Sequence, residues 1–142
     1  MNFLCDINIF YRFGKHVLED LLEPYQVDMH GLIAILSMDE VPGVTQSGLG
    51  INIQMDKGNL TKFLQHLEAK GLMYREVSPE NKRNKHCYLT EEGKKLAPKL
   101  KRVIKKWTAL CLEDISAEEL ELYKKVSSQI TKNLLKLGGD GS

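Results

Sequence analysis

A chain of 142 residues, 42% hydrophobic, 27% charged and with a net charge of +1, has the size and balance of one soluble domain able to bury a core. No apolar run approaches the roughly 20 residues that cross a bilayer, and the opening Met1-Asn2-Phe3-Leu4-Cys5-Asp6 lacks a basic start and long apolar stretch, so the sequence predicts a cytoplasmic protein without a membrane role. Cys5, Cys87 and Cys111 are odd in number and widely spaced, which argues against a disulfide framework and a structural zinc site.

The first predicted element is a helix over residues 3–22, with Phe3, Ile7, Phe10, Val17 and Leu21 at helical spacings and Pro24 as its stop. Asp28 is placed to cap a second helix through Leu32, Ile33, Ile35 and Leu36, ending near Asp39 before the breaker Val41-Pro42-Gly43. Thr45 caps a short helix to about Ile53. Gln54-Met55 turns the chain, and Asp56 caps the next helix, through Leu60, Phe63, Leu64 and Leu67. Gly71 stands where a left-handed helix end is wanted. Two short helices joined by a tight turn form a helix-turn-helix.

Two apolar-alternating runs, 71–77 and 86–90, flank the basic tip "ENKRNKH" and predict a β-hairpin directly after that motif, which is a wing. A long helix follows Thr90, with Glu91 and Glu92 in its first turn and an apolar seam of Leu96, Leu100, Val103, Ile104, Trp107, Leu110 and Cys111. Pro98 predicts a kink or a later start. The last helix opens on a Ser116–Glu119 capping box, carries Leu120, Tyr123, Val126, Ile130, Leu134 and Leu137, and ends at Gly138-Gly139. The predicted fold is mainly α with a small β-hairpin wing, a winged helix-turn-helix core over about 28–90 between long terminal helices over 3–22 and 91–137.

Charge is uneven along this plan. Residues 1–69 carry net −5, residues 70–106 net +8 and residues 107–142 net −2. A helix-turn-helix places its second helix in the major groove, and a wing reaches an adjacent minor groove whose negative potential attracts Arg and Lys. On that docking Lys57, Asn59, Thr61, Lys62 and Gln65 face bases or phosphates from the second helix. Lys82, Arg83 and Lys85 reach from the wing, and Thr45 and Gln46 anchor the backbone.

The stretch 59–96 resembles the core signature of the MarR family of winged-helix transcriptional regulators. The matching residues are Leu60-Thr61-Lys62, Leu67-Glu68-Ala69-Lys70-Gly71-Leu72, Arg75, Pro79, Arg83 and Leu89-Thr90-Glu91-Glu92-Gly93. Asn81 stands where the family has an Asp that braces the wing arginine, and Gly48 and Gly50 replace a usual Glu and Ala. The resemblance implies a homodimer interlocked through its first and last helices on a pseudo-palindromic duplex, consistent with seams longer than one small core absorbs. It also implies a repressor released by a small aromatic or phenolic effector, with Tyr11, His16 and His30 bordering the cleft.

Another branch of the family senses hydroperoxides through a cysteine in the first helix. Cys5 is the candidate here, and Asp56-Lys57-Gly58-Asn59-Leu60-Thr61 matches that branch's Asp-x-Gly-x-Leu-Thr run, though Cys5 falls about two residues from the expected place. A winged-helix protein-interaction module is the further alternative, against which the basic-to-neutral second helix counts. The four histidines show no chelating spacing and no nucleophile or paired-carboxylate constellation stands out, so no metal, cofactor or enzymatic activity is expected.

Overall fold

The computed structural model describes residues 2–80 and 83–138; Asn81, Lys82 and Gly139 lie outside the described residues. Helix α1 (Phe3–Ile9) starts at Asn2, whose side chain accepts from the Cys5 amide at 3.0 Å. The predicted first helix then departs from regularity. Phe10–Gly14 form a π turn before α2 (Lys15–Leu22) resumes. The indole Nε1 of Trp107 donates to the Gly14 carbonyl at 2.9 Å, which ties this wide turn to the long helix that carries Trp107. Pro24 sits in a short 3-10 turn, and Gln26 (φ 56°) closes it in the left-handed region.

Helix α3 (Met29–Glu40) begins where Asp28 accepts from the Gly31 amide at 2.8 Å. Strand β1 (Val44–Thr45) leads into α4 (Gln46–Ile53), capped by Thr45 Oγ1 accepting from the Gly48 amide at 3.1 Å. Helix α5 (Lys57–Ala69) begins at Asp56, and Gly71 (φ +75°) reverses the chain after it. Strands β2 (Met73–Val77) and β3 (Lys85–Leu89) pair antiparallel, Met73 opposite Leu89 and Val77 opposite Lys85. The wing is a sheet of three strands in the order β1-β3-β2, because Val44 and Thr45 pair with Cys87 and His86. A two-stranded hairpin was the expectation from sequence. Two residues of β1 carry no periodicity to reveal them.

Helix α6 (Glu91–Cys111) runs through Pro98 without the later start that proline suggested. Pro98 is exposed, and its missing N–H leaves the Lys94 carbonyl without its helical donor. Its inward residues Gly93, Ala97, Leu100 and Val103 join the core formed with α2 to α5 and the sheet. Residues from Ala109 form a separate compact unit around α7 (Ala117–Gly138), none of whose described residues is buried. The capping box there is formed: Ser116 N donates to Glu119 Oε1 at 2.9 Å and Glu119 N to Ser116 Oγ at 3.1 Å, holding the Glu119 carboxyl below its ordinary pKa.

The apolar seams at both ends are only partly absorbed. Leu18 and Leu22 are buried, but Phe3, Leu4, Ile7, Phe10 and Phe13 are exposed on the first helix, as are Leu122, Tyr123, Val126 and Leu134 on α7.

Cys87, in the middle of β3, is fully buried, and burial raises its thiol pKa to about 11. Cys5 and Cys111 are exposed. Titration with a chromogenic disulfide at pH 8 should therefore label two thiols per chain in the native protein and the third only after denaturation. Three rapid equivalents without denaturant would contradict this packing of the sheet.

Candidate nucleic-acid interface

Helix α5 is two-sided. Leu60, Leu64 and Leu67 are buried, whereas Lys57, Asn59, Lys62 and Gln65 are exposed. Its start is rigidly built, because the Asp56 carboxylate accepts both from the Asn59 amide N–H at 2.9 Å and from Asn59 Nδ2 at 2.7 Å. These two bonds hold the Asp56 pKa below its ordinary value. They also fix the Asn59 side chain: one Nδ2 hydrogen is engaged, leaving Oδ1 and the second hydrogen available for an outside partner. Gly50 brings α4 close to α5, since a Cβ there would lie 3.0 Å from Leu60 Cδ2.

Gln46 and Thr61, both expected on DNA, are half-buried and bonded within the protein. Gln46 Nε2 donates to Thr61 Oγ1 at 3.3 Å, and Thr61 Oγ1 donates to the Lys57 carbonyl at 3.1 Å. Gln46 Oε1 accepts from Arg75 Nη1 at 3.1 Å, while Arg75 Nη2 pairs with Glu68 Oε1 at 2.5 Å. One guanidinium thus joins the wing strand β2, the start of α4 and the last turn of α5. Sequence reasoning used Arg75 only as a motif match. Its partners stand 7 and 29 residues away, a separation that no local spacing exposes.

At the wing, Arg83 and Lys85 are exposed, and Lys82 lies outside the described residues. Ser78 N donates to the Asn84 carbonyl at 3.2 Å at the base of the tip. His86 Nδ1 lies 2.8 Å from the Gly43 carbonyl, fastening β3 to the loop before β1. Thr45 Oγ1, besides capping α4, is 3.3 Å from Ser47 Oγ.

The three effector candidates each make a contact of their own. Tyr11 is exposed in the π turn, with Lys15 Nζ 5.7 Å from its ring centroid. His16 is exposed with Nε2 3.5 Å from Asp20 Oδ2, and half-buried His30 meets Phe63 edge-on at 6.3 Å. A cleft of about 470 Å³ opens elsewhere, between the end of the first helix, α3 and α5, lined by Glu19, Glu23, Val27, Asp28, Phe63, His66 and Lys70 among others. None of the three candidates lines it. Cys5 is exposed in the first turn of α1. Among the described residues no group of three or more His, Cys, Asp or Glu is placed to hold a metal ion, and no helix is long and apolar enough to cross a membrane.

Residues 34–85, from α3 through the wing, match the model of the MarR family. Solved structures share the architecture over the whole chain. The transcriptional regulator SlyA is 20% identical, with a TM-score of 0.92 over all of both chains. A MarR family regulator from Listeria monocytogenes, complexed with 26mer DNA, is 20% identical with a TM-score of 0.89 over 100% of this chain and 96% of that one. The S. aureus MepR–DNA complex is 20% identical with a TM-score of 0.87 over 94% of this chain and 99% of that one. The fold is the winged helix of these regulators.

Proposed function

We propose, from the premise that residues 34–85 form a MarR-family winged helix, that the protein is a sequence-specific double-stranded DNA-binding transcriptional regulator. It acts as a homodimeric repressor released by a small molecule. The observation that carries this is α5 itself: a polar exposed face of Lys57, Asn59, Lys62 and Gln65 over a buried apolar one, tied by Arg75 to a wing bearing Arg83 and Lys85. Lys57, Lys62 and the wing cations take phosphate, Asn59 reads a base, and Gln46 and Thr61 hold α4 and α5 in register, with Gln46, Thr45 and Thr61 offering what hydrogen-bonding capacity remains to the backbone. Substituting Asn59→Ala should relax base preference at one position per half-site, costing about 1–3 kcal/mol on the preferred sequence. Arg83→Ala should weaken binding across sequences and flatten log K against log salt by about 1 per protomer. Band-shift titrations over a salt series check both. Unchanged binding by both variants would count against this docking.

The exposed apolar residues of the first helix and α7 support the dimer, because a lone chain would leave them in water. Ala97, Leu100 and Val103 complete the core, so truncation after Thr90 should unfold the domain and not merely part the dimer. Phe10→Glu and Val126→Glu, both at exposed positions, should instead convert a micromolar dimer to monomer with helicity retained. Sedimentation equilibrium decides it, and a wild-type monomer would refute the dimer. An aromatic or phenolic acid bordered by Tyr11, His16 and His30 remains the proposed effector. His30 is well placed to transmit its arrival, because its ring joins α3 to Phe63 of the recognition helix.

A further inference from the structure

We propose that the solvent face of α6 is a second polyanion-binding surface, which holds the phosphate backbone of duplex DNA flanking the site under α5 and the wing; this rests on the DNA-binding reading above. Seven cations fall between Lys94 and Lys106, and no acidic residue occurs from Gly93 to Leu112. All seven are exposed, while Gly93, Ala97, Leu100 and Val103 turn to the core on the opposite side. Lys95, Lys99, Arg102 and Lys106 recur at spacings of four, three and four, so they form one row along the helix. At about 1.5 Å per residue the row is roughly 16 Å long. One strand of a duplex presents a phosphate every 3.4 Å or so of its axis, so the row faces about five of them.

A solvated helix face ordinarily interleaves acids with bases, because i,i+4 pairs of opposite sign stabilise the helix and pairs of like sign oppose it. Here Lys95 and Lys99, Lys101 and Lys105, and Arg102 and Lys106 are like-charged i,i+4 pairs. Three cations of the face find carboxylates, Lys94 with Glu91 at 3.4 Å, Lys95 with Glu92 at 3.5 Å and Lys101 with Asp39 at 2.6 Å. Lys99, Arg102, Lys105 and Lys106 have no ion-pair partner among the described residues. A surface that repels itself when alone is relieved by an anionic partner that releases counterions.

Duplex DNA fits better than a lipid surface. Among the described residues no large hydrophobic side chain is exposed between Val77 and Leu110, so the cationic face has no apolar edge to insert into a bilayer. The helix also starts two residues after β3 of the wing, continuing an element that already carries Arg83 and Lys85.

The test compares two duplexes of a sequence that the protein selects from a random pool: one trimmed to the selected site, the other extended by roughly ten base pairs on each side. The wild type should bind the extended duplex more tightly and with a steeper log K against log salt. Lys99→Gln/Arg102→Gln/Lys106→Gln, shown by circular dichroism to be folded, should flatten that slope by about 3 to 5 per dimer and lose roughly tenfold at low salt. On the trimmed duplex it should match the wild type. The single Arg102→Gln variant should move the same way by a smaller amount. Equal wild-type binding to both duplexes overturns this inference alone, as does an equal loss by the variant on both. So does tighter wild-type binding to an RNA duplex of the same sequence or to anionic vesicles. Failure of the wild type to bind either DNA overturns the DNA-binding reading and this inference together.

Discussion

Gly93→Ala is expected to destabilise the protein by about 3 kcal/mol, among the largest effects of any single methyl group in the chain. A Cβ at Gly93 would lie 2.2 Å from the Leu72 carbonyl oxygen and 3.1 Å from Leu89 Cδ2. The carbonyl cannot simply swing away, because it accepts from the Thr90 amide at 3.1 Å. Thr90 is held in turn: its Oγ1 donates to the Gly71 carbonyl at 2.5 Å and accepts from the Gly93 amide at 3.1 Å. The glycine is required by close approach of two backbones, and its own φ is not the reason. Thermal unfolding should fall by roughly 10 °C. Gly58→Ala is the control, an exposed helical position where a Cβ meets only Asp56 Oδ1 at 3.7 Å. That change should gain about 0.5–1 kcal/mol from helix propensity. Equal stability of the two variants would contradict the described junction between wing and α6.

Loss of the Arg75 guanidinium is the second large effect. The Arg75 side chain is 12% exposed and that of Glu68 31%, so their pair is better shielded from water than Lys101 with Asp39 or the i,i+3 pairs of α6 and α7. Arg75→Ala strips a half-buried carboxylate of its cation and leaves Gln46 Oε1 without its donor, which should cost about 2–3 kcal/mol. Glu68→Gln in the same chain should recover part of that loss, giving a coupling energy of about 1 kcal/mol or more in a double-mutant cycle by urea unfolding. Binding should change in a diagnostic way. With the wing and α5 no longer joined, affinity for the preferred sequence should fall while non-specific affinity barely moves, since the lost cation is turned inward onto Gln46 and Glu68. A fall of the same size on both DNAs would mean that Arg75 acts as a phosphate contact.

Local chemistry made much of the fold readable from sequence. Asp28, Thr45, Asp56 and Ser116 each cap the helix expected of them, because a short oxygen-bearing side chain satisfies N–H groups two or three residues on. Gly71 takes the left-handed conformation that its place after Lys70 required. What escaped is long-range or too short to have a pattern. The strand Val44–Thr45 exists only because Cys87 and His86 lie beside it. The π turn at Phe10–Gly14 shifts the periodicity by one residue inside an otherwise helical run. Pro98 suggested a kink or a later start on local grounds, yet α6 already begins at Glu91, with Gly93 and Ala97 buried ahead of the proline.

The site was legible in its elements and less so in its contacts. Lys57, Asn59, Lys62 and Gln65 do share the exposed face of α5, as the spacing predicted. Polarity alone could not separate them from Gln46 and Thr61, which are spent largely on the Arg75 network. Nor could sequence show that Asp56 orients the Asn59 amide, although the two are only three residues apart. A cap and a base-reading side chain draw on the same residue types.

If α5 and the wing of two protomers read a duplex, the protein should pick out defined sites in its own genome. Fragments of the source genome, incubated with the full-length protein, recovered on it and sequenced, test this most directly. A few fragments sharing an inverted repeat whose half-sites lie about one helical turn apart should be enriched, with the enrichment abolished by Asn59→Ala together with Arg83→Ala. Recovered DNA indistinguishable from the input pool, or enrichment that survives both substitutions, would contradict it.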